Sequence, residues 1–145
     1  MADDKTQILA LLRAQEAATA RSDASGVTAS MSPDIVSYDL PPPLENRGLG
    51  PELIEGLNQW FDTWEGGVTV ELTDPTIIID GDLAVVFGLS RMCGTKKDQG
   101  AIDIWNRRTV ALRREGNEWR IIHEHQSYPM NMDGSETAAL DLKPD

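Results

Sequence analysis

Apolar residues recur at helical spacing through the first part of the chain and at alternate positions through the second. From Thr6 to Arg21, the residues Ile8, Leu9, Leu11, Leu12, Gln15, Ala18 and Thr19 share one face at a period near 3.6, and alanine is plentiful. Thr6, Asp3 or Asp4 can cap this helix. Ser22-Asp23 breaks the run, and Asp23–Met31 reads as a short second helix that Pro33-Asp34 ends. Ile35–Asp39 is a brief β-prone run, stopped by Pro41-Pro42-Pro43, which cannot donate to a ladder and forms a rigid connector. Leu44–Gly48 offers a short return strand. Pro51 then opens a third helix reaching to about Thr63, with Leu53, Leu57, Trp60, Phe61 and Trp64 as its apolar stripe.

After Gly66-Gly67 the period drops to 2. Val68–Thr73 alternates cleanly, Pro75 marks a bulge or edge, and Thr76–Ile79 resumes the strand. Asp80-Gly81-Asp82 is a hairpin signal, followed by long β-prone runs at Leu83–Cys93 and Ala101–Arg114 with an exposed loop between them. The last run is Asn117–Pro129, NEWRIIHEHQSYP. Strict alternation there places Trp119, Ile121, His123, His125 and Ser127 on one face, which starts apolar and ends with two imidazoles and a hydroxyl, as a strand lining a cavity would. Glu124 and Gln126 then face solvent or a partner chain. Helices segregated from a meander of strands indicate an α+β domain, with a strongly curved antiparallel sheet wrapped around three helices and a conical cavity at its open end. We take residues 1–130 as the domain. The acidic, aperiodic stretch 131–145 is expected to be loosely docked or disordered.

Composition narrows the partners. The 145 residues carry a net charge of -11, which disfavours nucleic acid and anionic membranes. The single cysteine, Cys93, rules out an intrachain disulfide and fits a reducing compartment. Asp3 and Asp4 stand where a basic leader would, and no apolar run approaches the ~20 residues of a membrane span, so a cytoplasmic protein is expected.

Three stretches carry a resemblance. ARSDASGVTASMSPDIVSYD after the first helix, the helix RGLGPELIEGLNQWFDTW, and the closing strand GNEWRIIHEHQSYP together resemble the SnoaL-like and ketosteroid-isomerase-like proteins of the nuclear-transport-factor-2-like superfamily, over roughly Thr6 to Pro129. The resemblance implies a cone-shaped cystatin-like roll and a homodimer formed through the outer sheet face. Asp39, at the end of the first strand, matches the aspartate that shuttles protons in the isomerases. The positions matching their oxyanion-hole acids hold Gln15 and Thr109-Val110.

The resemblance, taken with these residues, implies acid–base chemistry without a metal or organic cofactor, on a small hydrophobic carbonyl compound. A carboxylate beside an apolar cavity, such as Asp39, has a raised pKa and can take a proton alpha to a carbonyl. His123 and His125 can act near neutral pH as bases or donors, or can instead serve structure by bonding to sheet carbonyls. A His-x-His pair also suits a metal, but the chain has no third histidine, so Asp39 and Asp103 would have to complete the set. If the even face of Ala101–Arg114 is inward, Asn106 and Arg108 are unusual polar groups in a pocket; a bulge could equally turn Arg107 or Arg108 outward. The catalytic candidates are thus His123, His125 and Asp39, with Gln15, Trp60, Asn106, Arg108, Trp119 and Ser127 binding substrate. The alternative is a non-catalytic ligand-binding or protein-interaction module on the same fold.

Overall fold

The computed structural model describes residues 3–145. The elements follow in the order α1 (Asp4–Ala20), α2 (Ala24–Thr28), β1 (Met31–Tyr38), β2 (Asn46–Arg47), α3 (Pro51–Phe61), β3 (Trp64–Asp80), β4 (Leu83–Lys96), β5 (Gly100–Glu115) and β6 (Glu118–Ser127). One six-stranded sheet runs β2-β1-β6-β5-β4-β3. Its ladders are antiparallel except for β1 and β6, which run parallel, because the chain returns to β1's side only after the whole meander is complete. The fold class is the expected α+β.

Asp3 caps α1, accepting from the Thr6 amide at 2.8 Å, and Asp23 caps α2 through the Gly26 amide at 3.0 Å. The face of α1 carrying Ile8, Leu12, Gln15, Ala18 and Thr19 is buried. This single helix reaches strands far apart in the sheet. Glu16 accepts from the Leu72 amide on β3 at 2.8 Å, Gln15 meets Arg108 on β5, and Asp4 accepts from the Trp119 indole on β6 at 3.2 Å. The sheet therefore curls around α1. Its concave face supplies Val68, Leu72, Val86, Val110, Leu112 and Ile121 to the core.

Bulges produce the curl. β3 breaks register between Glu65 and Val68, where Gly66 and Gly67 take positive φ, and again between Thr73 and Thr76. Close packing follows at the first of these. A Cβ on Gly94 would lie 2.8 Å from the Trp64 ring and 3.1 Å from the Gly67 carbonyl oxygen. Gly94→Ala is expected to destabilise the domain by about 1–3 kcal/mol in urea unfolding, the usual cost of overpacking.

The bulge with most consequence lies in β6. Leu112 pairs with Ile121 and Ala111 with His123, so Ile122 is one residue more than β5 can match. Before it, Trp119 and Ile121 point into the core; after it, Glu124 is buried and the histidines lie on the opposite face. Strict alternation through NEWRIIHEHQS therefore fails at Ile122, and the expected facing of His123, His125 and Ser127 is reversed. One inserted residue exchanges every later side chain between faces.

Beyond β6 the chain turns back on itself. Met130 bridges Ala138, the Ala139 amide donates to the Pro129 carbonyl at 2.7 Å, and the Ala139 side chain is buried. The stretch expected to be loosely held is anchored as far as Ala139.

Candidate functional site

The β5 residues that point inward are the even-numbered ones. Asn106, Arg108, Val110 and Leu112 are all buried, which settles the facing of that strand. Register then defines three neighbouring rows across the concave face. Ser90 on β4 stands opposite Asn106, and Tyr128, one residue past β6, continues that row because Arg107 pairs with Ser127. Arg108 pairs with Gln126, and Asp39, one residue past the Tyr38–His125 pair, lies in line with them. Val110 pairs with Glu124, which pairs in turn with Ser37 on β1.

At the centre is an ion pair removed from water. Arg108 is 5% exposed and Glu124 9%. The guanidinium donates through Nε to Glu124 Oε1 at 2.7 Å and through Nη2 to the same oxygen and to Gln15 Oε1, the last at 2.7 Å. Gln15 Nε2 donates in turn to the Val27 carbonyl at 3.1 Å, tying α1, α2, β5 and β6 together. Arg108 is thus inward, as one reading of the alternation required. Its charge is held by Glu124 and Gln15, so Gln15 is a structural partner.

Asp39 borders this pair. Its carboxyl accepts from the Leu40 amide at 2.7 Å, just before the triple proline carries the chain away. The residue is solvent-accessible, yet its carboxyl is held above the ordinary pKa of 3.8. Partial desolvation against the concave face is the main cause and the Glu124 charge adds to it, while the Leu40 amide and Arg108 oppose it. Tyr128 is also pushed up, chiefly by burial and by the Asp39 charge, while the nearby Asn106 amide favours the phenolate. The arrangement gathers a poised carboxyl, a neutral phenol and an amide on one face, beside a fixed guanidinium–carboxylate pair. Such a set can take a proton and hold a developing oxyanion.

The histidines stand elsewhere. Tyr38 packs edge-on against His123 at 4.7 Å between ring centroids and against His125 at 5.4 Å, all three on the convex face. His123 Nδ1–H donates to the Val36 carbonyl at 2.6 Å, the structural role that was the alternative reading. Ser127 shares that face. The structure therefore separates His123, His125 and Ser127 from Asp39 by the thickness of the sheet.

Trp119 lies far along β6 from Glu124, under the Arg114 guanidinium at 4.5 Å, and lines an open cleft of about 320 Å³ with Gln7, Leu11 and Ser30. A second cleft, of about 360 Å³, lies between Arg13, Glu16 and Val70; neither includes Asp39 or Arg108. Trp60 is half-buried on α3, edge-on to Trp64, beside Leu53, Ile54 and Leu57. Among the described residues, no three His, Cys, Asp or Glu side chains are grouped to hold a metal ion, and no helix is long and apolar enough to cross a membrane.

Glu124, Tyr128 and Ser90 were not anticipated. Arg108 carried the signal for the first, since an inward guanidinium requires a carboxylate and β6 offers one at Glu124.

A family model for the SnoaL-like domain matches residues 8–131. The chain belongs to that family. Among solved structures, an NTF2-like protein of unknown function from Pseudomonas putida KT2440 is 29% identical, with a TM-score of 0.83 over 96% of this chain and 95% of that one. An NTF2-like superfamily protein from Salmonella enterica serovar Typhimurium is 19% identical, with a TM-score of 0.74 over 92% and 96%. The CamKII hub homology domain of Chlamydamonas reinhardtii is 14% identical, with a TM-score of 0.67 over 86% and 98%, a likeness of fold alone. No curated protein matches the chain.

Proposed function

We propose that the concave face binds a small hydrophobic carbonyl compound and that Asp39 moves a proton on it, with no metal or organic cofactor. The observation that carries this reading is the place of Asp39 at the edge of a face holding Tyr128, Asn106 and the buried Arg108–Glu124 pair, a setting that raises its pKa. Asp39 is the base alpha to the carbonyl. The Tyr128 hydroxyl, beside Asn106 in the same row of the sheet, donates to the carbonyl oxygen as charge develops there. The apolar face of α3, with Leu53, Leu57 and Trp60 only partly buried, supplies the hydrophobic contact. His123 and His125 have no part in this chemistry.

Deuterium exchange into cyclic ketones and enones in D2O, followed by mass spectrometry, tests the proposal. Exchange should persist in His123→Ala and vanish in Asp39→Ala. The reverse pattern would return the chemistry to the histidines.

The convex face is where a second copy would dock. Ile78, Leu83, Phe87, Leu89 and Tyr38 are exposed there in adjoining rows, with Val85 and Ala111 between them. That is a large apolar surface for one chain to leave in water. Phe87→Glu with Leu89→Lys should convert a dimer to a monomer in sedimentation velocity; a wild-type chain already monomeric at high concentration would remove the idea. The same surface and the likeness to a hub domain favour a second reading, an association module without chemistry. It predicts self-association and no exchange with any ketone.

A further inference from the structure

Two polar groups on the concave face have no partner. Ser90 is fully buried and Asn106 is 4% exposed, and they stand opposite one another on β4 and β5. Neither Ser90 Oγ nor Asn106 Oδ1 makes a hydrogen bond, while the other end of the Asn106 amide is turned to Tyr128. A buried polar atom left unpaired costs about 1–3 kcal/mol, and folded proteins tolerate few of them. Two side by side, aimed into the face that holds the proposed site, mark a place where a ligand supplies the missing partner.

The chemistry of the pair selects the group. Ser90 Oγ can donate and accept, and Asn106 Oδ1 accepts. A hydroxyl does both, so it satisfies the two atoms together, and does so whichever way the amide is turned. With the amide as it stands, its nitrogen toward Tyr128, a carbonyl oxygen can accept from Ser90 but leaves Asn106 Oδ1 unpaired. An ammonium leaves the Ser90 proton unpaired and brings a charge among Leu72, Met92 and Ile104, which surround the pair on the same face. A carboxylate meets Asp39 and Glu124, while the nearby guanidinium is already engaged by Glu124 and Gln15.

We infer that Ser90 and Asn106 form a subsite for a neutral hydroxyl at the buried end of the ligand. The inference rests on the concave-face reading above and narrows its substrate to an apolar skeleton carrying both a carbonyl and an alcohol or phenol.

Fluorescence titration with naphthalene and 2-naphthol, which differ by one hydroxyl, tests the subsite. The wild-type chain should bind 2-naphthol about tenfold tighter, the value of one to two good hydrogen bonds. In Ser90→Ala that preference should fall to about threefold or less, with naphthalene affinity unchanged and the thermal midpoint not lowered, since the lost hydroxyl had no partner. Asn106→Leu should lose the preference likewise. Equal binding of the two probes to the wild type overturns the subsite and leaves the apolar site standing. A preference that survives Ser90→Ala, together with a lowered midpoint, assigns the pair to internal structure and also overturns it. Failure of both probes to bind removes the concave-face ligand site, and this inference with it.

Discussion

Arg108→Ala should destabilise the domain by about 3–5 kcal/mol, the usual cost of removing one partner of a buried ion pair. Glu124 would be left in the core with no counter-charge, and Gln15 Oε1 would lose its donor. Much of a small domain's stability would go, and soluble expression with it. The double variant Arg108→Met/Glu124→Leu should regain most of the loss, because two apolar side chains of similar volume avoid the desolvation that the ions require. Urea unfolding of the wild type, Arg108→Met, Glu124→Leu and the double variant completes the cycle. A double variant no better than Arg108→Ala would show that the loss comes from packing and not from the stranded carboxylate. The pair also acts on the site, since Arg108 lowers the Asp39 pKa and Glu124 raises it. Glu124→Gln, if it folds, should bring Asp39 back toward its ordinary value and shift the acid limb of any pH–rate profile downward.

Asp39→Asn should slow proton exchange by about 100- to 10,000-fold, the usual contribution of a positioned base. Its effect on stability has the opposite direction. A carboxyl whose pKa is raised on folding holds its proton more tightly in the native chain than in the unfolded one. Between the ordinary value of 3.8 and the raised native value, stability therefore falls as pH rises, and at neutral pH the ionised Asp39 is a net cost. Asparagine removes that cost. The variant should melt no lower than the wild type at pH 7, and the difference should shrink below pH 4. Activity in the wild type should show the complementary trend, rising with pH through the native pKa as the base ionises. Thermal melts across pH and the pH–rate profile of the exchange reaction check the two trends together. A variant that is both inactive and less stable at pH 7 would mean that Asp39 supports the fold, and its loss of activity would then say nothing of catalysis.

Most elements were legible from local patterns. The period of α1, the cap at Asp23, Pro51 opening α3, the Asp80-Gly81-Asp82 hairpin and the proline at the β3 bulge each depend on a few neighbouring residues, and each lies where those residues indicate. Gln15, Asn106 and Arg108 were likewise recognisable as polar residues on otherwise apolar faces, and Asp39 by its place at the end of the first strand. The site was less legible because its parts converge through register. Whether Glu124 or His123 faces inward depends on Ile122, and nothing within NEWRIIHEHQS separates an unbroken strand from a bulged one. The bulge becomes visible only against β5, where nine of the ten β6 residues are paired and Ile122 is left over.

By itself the sequence determined the order and type of the elements, the α+β class, and an unusual polar content on the even-numbered face of β5, whose facing it left open. These follow from short-range propensity and periodicity, which act within a turn or a strand. Only the tertiary structure decided which face of β6 belongs to the site. Sheet pairing, the burial demand of Arg108 and the curl around α1 together place one extra residue at Ile122. That placement puts Glu124 against the guanidinium, lets Tyr128 reach Asn106, and leaves the two histidines outside with Tyr38.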